Sequence, residues 1–258
     1  MDPNFLDQAE FADNPEPRCP VVLVLDTSGS MNGLAIQELN EGLRQFTLAL
    51  ASDRLASLRV ELALVAFGGT VKVLDVRGEK APAGTAVPPN PSGLAVRPKP
   101  REIPFDAERA FVTVDQFLPP VLEAKGGTPM GEAVQRSLAL LKDRKEIYKR
   151  NGLDYFRPWI FVISDGKPTD KGWEAVADQV RQEEIHKGLI FYGVGVENAD
   201  MNVLARFSEA RQPLKLKGLA FDSMFMWLSK SLSAIAHSRP GDQTPLPPVG
   251  WGEVDTSH

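Results

Sequence analysis

The chain has 258 residues, 43% apolar and 24% charged, with a formal net charge of −5. These are the proportions of an ordinary soluble globular protein; the mild acidity gives nucleic acid no electrostatic footing, and no run approaches the about 18 apolar residues of a membrane span. A lone cysteine, Cys19, excludes an intrachain disulfide, and the stretch from Met1 to Glu10 has neither a basic region nor a long apolar core, which together point to a cytoplasmic protein.

Val21 to Leu25 is an unbroken apolar run that ends in Asp26, Ser28 and Ser30. Such runs read as parallel strands buried on both faces. Leu34, Leu39, Leu43, Phe46 and Leu50 then recur at near-helical spacing, with Gly33 at the start. Val60 to Phe67 reads as a strand with Glu61 its one clear polar interruption, and Gly68-Gly69 turns it into Val71 to Leu74, an antiparallel hairpin at one sheet edge. Residues 77 to 104 hold seven prolines and few large apolar groups, an excursion within the domain rather than a second domain. Helical signal resumes at Pro129 and runs through Met130, Val134, Leu138 and Leu141.

The second half continues the alternation: a strand from Trp159 to Ile163, a helix from Trp173 to Lys187 closed by Gly188, and a strand from Leu189 to Val196. Asp200 caps a short helix to Phe207, an edge strand lies near Pro213 to Leu216, and an amphipathic helix runs from about Phe221 to Ala236. The fold class is therefore α/β: a doubly wound, mostly parallel sheet with one antiparallel edge strand and helices on both faces. The expected organisation is an N-terminal extension (1–18), one domain (19–237) and a proline-rich tail (238–258) that packs along the surface or reaches toward a partner.

Ligands of open α/β sheets sit beyond the carboxyl ends of the strands, which is where Asp26, Ser28 and Ser30 fall. Alternate residues leaving a strand can aim their oxygens at one point, and hard oxygens suit a hard divalent cation. Magnesium demands near-octahedral coordination at roughly 2.0–2.1 Å, which one short loop cannot complete. Thr128, in the Gly-rich turn Gly126-Gly-Thr-Pro-Met-Gly131, and Asp165, at the end of Trp159-Ile-Phe-Val-Ile-Ser-Asp-Gly166, supply a further hydroxyl and carboxylate. Taken singly, each of these residues is as readily a helix cap or a turn former; their combination and order carry the signal.

This D-x-S-x-S, Thr, S-D-G pattern resembles the metal-ion-dependent adhesion site (MIDAS) of von Willebrand factor type A (VWA) domains. The resemblance implies that Ser28, Ser30 and Thr128 ligate the metal directly, while Asp26 and Asp165 act mostly through bound water. The metal would be Mg2+, with Mn2+ or Ca2+ as alternatives. Leu25 to Met31, Glu61 to Phe67, Gly126 to Gly131, Ser164 to Asp170, Phe225 to Ser229 and Gly250-Trp-Gly252 are also similar to the bacterial tellurite-resistance-associated VWA proteins, the TerY-like group. That likeness implies a stress-response setting with kinase and phosphatase partners. The proline-rich excursion looks longer than usual for the group.

Neutral hydroxyl ligands leave a cation electrophilic, so an Asp or Glu from another protein would complete its shell. The expected function is metal-dependent protein binding without catalysis, with neither nucleic acid nor membrane as partner. Two alternatives stand beside it. A metal-dependent phosphoryl-transfer enzyme of the haloacid-dehalogenase type would use Asp26 as nucleophile, but it needs a second Asp where Ser28 stands. The other is a metal-free interaction domain. A serine hydrolase lacks G-x-S-x-G around Ser28 or Ser30, and neither a P-loop nor a Rossmann fingerprint occurs in context. Among secondary candidates, Asp170 either orients the metal loop from behind or caps the Trp173 helix. Met224, Met226 and Trp227 form a partner groove or core, and Arg97 to Arg101 is an acidic-partner patch or a solvated loop.

Overall fold

The structure is a computed structural model that describes residues 11–77 and 101–254. Strand β1 (Cys19–Asp26) is buried along its whole length and forms the centre of the sheet. It pairs in parallel with β2 (Val60–Gly68) on one side and β6 (Trp159–Ser164) on the other. Beyond β6 lie β7 (Ile190–Gly195) and β8 (Leu214–Leu216), both parallel. Beyond β2 the hairpin strand β3 (Thr70–Leu74) runs antiparallel, as expected, and carries the two-residue β4 (Glu102–Ile103) outside it. A short β5 (Val112–Thr113) also pairs with β2.

The opposite edge is closed from the tail: β9 (Gly252–Val254) runs antiparallel to β8. The tail therefore packs on the protein, and it does so as a strand. Trp227 Nε1 donates to the carbonyl of Pro247 at 2.8 Å, and the rings of Trp227 and Trp251 sit 5.6 Å apart. Short, antiparallel end strands of this kind leave little unpaired edge to template association.

Alternation along β1 divides the core. Val21, Leu23 and Leu25 face one cluster together with α1 (Leu34–Ala51), α2 (Arg54–Arg59) and α7 (Phe221–Ala236). Val22 and Val24 face the other, with α3 (Ala107–Ala110), α4 (Met130–Arg150), α5 (Trp173–Ile185) and α6 (Met201–Ala205). Helices thus cover both faces, the arrangement that lets a parallel strand be apolar throughout. Helices α1 and α7 approach closely because Gly42 has no side chain: a Cβ there would lie 2.6 Å from the Phe225 ring. Among the described residues, no helix is long and apolar enough to cross a membrane.

Helix ends follow local chemistry. The carboxylate of Asp53 accepts from the amides of Leu55 and Ala56 at the start of α2, and Asp200 caps α6 as its sequence suggests. At the end of α5 the left-handed residue is Lys187, at φ 57°, and not Gly188. The amide of Gly188 reaches the Glu183 carbonyl and that of Lys187 the Glu184 carbonyl, the double closure of a Schellman motif.

Glu61 is no mere interruption of β2. It is fully buried; Oε1 accepts from Arg18 Nε at 2.9 Å and Arg144 Nη2 at 2.8 Å, while Oε2 accepts from Arg144 Nε at 2.8 Å and from the Tyr148 hydroxyl. The Phe11 ring lies beneath both guanidinium groups. Cys19, next to this cluster, is a buried small hydrophobe, its thiol pushed up to about 12 by burial and by the Glu61 charge.

Candidate metal centre

The strand order reverses at β1: the chain moves from it to β2 on one side and later to β6 on the other. A crevice opens at such a point beyond the carboxyl ends of the strands, and Asp26 closes β1 while Ser164 closes β6. Asp26 is wholly buried. Its Oδ1 accepts from the Ser28 amide at 2.8 Å, which folds the Asp26-Thr-Ser28 turn back on itself, and its Oδ2 accepts from the hydroxyl of Ser164. Ser28 Oγ lies 3.0 Å from Ser30 Oγ, and Ser30 Oγ donates to Asp165 Oδ1 at 2.8 Å. One continuous set of hydrogen bonds therefore joins Asp26, Ser28, Ser30 and Asp165 across residues far apart in sequence.

Thr128 arrives from a third segment. Gly29 N donates to the Gly126 carbonyl at 2.9 Å, Lys125 N to the Thr27 carbonyl at 2.7 Å, and Gly69 N to the Gly127 carbonyl at 2.8 Å. These bonds seat the Gly-rich turn against the Asp26 loop. Gly126 has φ 78°, and a Cβ on it would lie 2.6 Å from the Gly69 Cα, so only glycine permits the approach. Thr128 Oγ1 faces the same space as Ser30: a Cβ on Gly166 would lie 3.3 Å from the former and 4.0 Å from Ser30 Oγ. The bare backbone of Gly166 thus lies beside both hydroxyls.

Asp170 lies behind the Thr128 loop and does not cap the Trp173 helix. Helix α5 begins at Gly172 without a side-chain cap. The Asp170 carboxylate instead accepts from Gly131 N at 3.3 Å and Glu132 N at 2.7 Å, capping α4, the helix that follows Thr128. Thr169 adds a second tie: its Oγ1 accepts from Thr128 N at 3.0 Å, and its own amide donates to the Thr128 carbonyl at 2.9 Å. The loop after β6 therefore fixes the orientation of Thr128 from behind.

Three residues near the centre were not legible beforehand. Ser164 holds the buried face of Asp26, Thr169 clamps Thr128, and Glu197, at φ 49° just after β7, brings a further negative charge toward Asp165. Ser164 stood in the S-D-G motif as spacing, but serine and threonine at strand ends are too common to single out. Glu197 carries a signal only in its left-handed backbone, which sequence does not display.

Burial, with a smaller contribution from the Asp165 charge, pushes the Asp26 carboxyl up to about 6, against the lowering effect of its bonds from Ser164 and Ser28. Asp165 is also raised, chiefly by burial and also by Glu197, with the Ser30 hydroxyl opposing. Among the described residues no three His, Cys, Asp or Glu side chains cluster as a metal site. The centre is made instead of two carboxylates and three hydroxyls, a hard-oxygen set that fits magnesium or manganese better than a soft metal.

Of the other secondary candidates, Met224 and Trp227 are core residues while Met226 stands partly exposed on α7. The basic cluster falls, apart from Arg101, outside the described residues.

No protein-family model matches the sequence, and no curated protein does. Solved structures do. The pilus adhesin SpaC from Lactobacillus rhamnosus GG matches with a TM-score of 0.53 at 14% identity, over 86% of this chain and 31% of that one. The human COPII-coat protein Sec24c gives 0.53 at 10% identity, over 88% and 34%. A mutant of the PilB minor pilin from Streptococcus sanguinis gives 0.50 at 11% identity, over 84% and 62%. The fold is VWA-like. At such identities the likeness reaches the fold alone, and this chain spans from about a third to three fifths of those VWA-like neighbours' length.

Proposed function

We propose that this VWA-like chain is a protein-recognition module whose MIDAS-type centre holds Mg2+ and captures a carboxylate of a partner. The observation that carries this reading is the convergence of Asp26, Ser28, Ser30 and Asp165 through direct hydrogen bonds, with the Thr128 hydroxyl near that of Ser30 beside Gly166. Ser28, Ser30 and Thr128 would hold the ion, and Asp26 and Asp165 would supply the balancing negative charge. The bound ion supplies electrophilicity toward one further oxygen donor. An Asp or Glu side chain of another protein brings both the oxygen and the missing charge.

Ser30 is exposed while Asp26, Ser28 and Thr128 are buried. The centre therefore meets solvent along one side, as docking to a protein surface requires. Two described histidines bond elsewhere, His186 to the Gln182 carbonyl and His237 to Asp53, which favours binding over hydroxyl-based catalysis. The resemblance to TerY-like VWA proteins supports a cytoplasmic stress-response setting, with a kinase or phosphatase among the partners.

Titration calorimetry with MgCl2 tests the centre: wild type should bind one ion, and Asp26→Ala or Thr128→Ala should lose at least tenfold in affinity. Capture of partners from cell extract, with and without chelator, then tests recognition. Partners retained in chelator would favour the metal-free interaction domain. Phosphatase activity that vanishes in Asp26→Asn would favour phosphoryl transfer.

A further inference from the structure

At the end of the sheet away from Asp26, where β6 and β7 begin, a cavity of about 1000 Å³ opens between the strand ends, the C-terminal turn of α5 and the tail segment 241–246. That is at the upper end of the range for small-molecule sites. Pro158, Ile190, Ile235 and Leu246 give it apolar surface, and the rings of Tyr155 and Tyr192 line it. Its charged lining is unbalanced: Lys145, Arg157, Lys187 and Arg211 against Asp242.

Carboxylates outside the lining offset part of this imbalance. Arg211 Nη1 pairs with Glu184 Oε1 at 2.9 Å, and its guanidinium lies 5.5 Å from the Tyr192 ring centre. Lys145 sits 3.8 Å from Glu183. The Asp242 carboxylate accepts from the Arg239 amide within the tail's own turn. Among the described residues, neither Arg157 nor Lys187 has an ion-pair partner. Arg157 Nη2 donates only to the backbone carbonyl of Glu184, and its Nε is buried without an acceptor. A buried donor without an acceptor is a cost to the fold.

Lys187 adds an independent observation. It occupies the left-handed position of the α5 closure, which glycine fills at no steric cost, at the rim of the cavity. Left-handed non-glycine residues gather at ligand sites because the surrounding structure holds them there. Burial and the neighbouring Arg211 charge hold the Arg157 guanidinium below its ordinary range, with the Glu184 charge opposing.

We propose that this cavity binds a phosphate monoester of a flat organic group, of about mononucleotide size, with its phosphate held by Arg157, Arg211 and Lys187 and its ring against Tyr192. Two cations without ion-pair partners call for a dianion rather than a single carboxylate. Guanidinium groups match phosphate oxygens in paired hydrogen bonds, and the apolar and aromatic walls select an organic body over the bare ion.

The test is calorimetric titration of the full chain with AMP and with phenyl phosphate, in EDTA so that the Asp26 centre cannot contribute through a metal. At least one ester should bind at one site. Arg157→Gln should weaken it at least tenfold, Lys187→Gln severalfold, and Arg157→Lys should recover part of the loss. Adenosine should not bind measurably, and inorganic phosphate should bind at least tenfold more weakly than the ester. Failure of both esters to bind wild type, an unchanged affinity in Arg157→Gln, or equal affinity for inorganic phosphate would overturn the assignment. So would a phosphoserine peptide that binds more tightly than either ester.

Discussion

Glu61 shows how much one side chain can hold. Its carboxylate is fully buried and is shared by two guanidinium groups and a phenol, so it ties the entry to β1, the start of β2 and the last turns of α4 into one cluster. Removing one partner from a buried charge network leaves the others unpaired, a loss of about 3–5 kcal/mol. Glu61→Gln should therefore cost that much in urea unfolding, a large part of the stability of an ordinary domain. The exposed pair Arg44–Glu41 serves as the control; its loss should be nearly silent. The sequence shows Glu61 only as a polar residue in an apolar strand, because Arg18 and Arg144 lie far from it along the chain. Asp26 and Asp165 were legible for the opposite reason. Each terminates a long apolar run, so strand pattern and chemistry fall together.

Among the elements, the closure of α5 makes a compact prediction. Lys187 holds a left-handed backbone that costs an ordinary residue about 1–2 kcal/mol. Lys187→Gly should relieve that cost and raise the melting temperature by roughly 2–4 °C per kcal/mol gained, while Lys187→Ala, which still carries a Cβ, should not. If the cavity beside it binds phosphate esters, the stabilised Gly variant should bind them less tightly. The sequence marks where this helix ends through Lys187-Gly188, but which of the two turns left-handed is decided by the path into β7. Long elements such as β1, β6, α1 and α7 were readable from periodicity. The strands β4, β5 and β9 were not: two or three residues carry no period, and each exists because a neighbouring edge offers it hydrogen bonds.

For the molecule as a whole, pH and cation act together. Glu61 is held below the ordinary carboxylate range by Arg144 and Arg18 despite its burial. Its contribution is therefore present above its unfolded value of 4.5 and lost as pH falls beneath it. Asp26 works in the other sense. With its carboxyl raised from 3.8 to about 6, the metal-free fold loses stability as pH climbs through that window. A bound cation requires the ionised form, so its affinity should fall below about pH 6. Saturating MgCl2 near 100 times its dissociation constant should add about 2.7 kcal/mol, roughly 5–10 °C in melting temperature. Scanning calorimetry at one fixed MgCl2 concentration should find that gain at pH 7.5 and about half of it, roughly 1.4 kcal/mol, at pH 5, where the affinity is about tenfold weaker; an equal gain at both would count against ionised Asp26 as part of the centre.

Strand β6 begins at Trp159, which lines the basic cavity, and finishes at Ser164, which grips Asp26. At about 3.3 Å per residue the two ends of the strand stand roughly 16 Å apart, too far for one small occupant to touch both. A visitor at one pole would leave the other unobstructed, so the two proposed sites should bind independently.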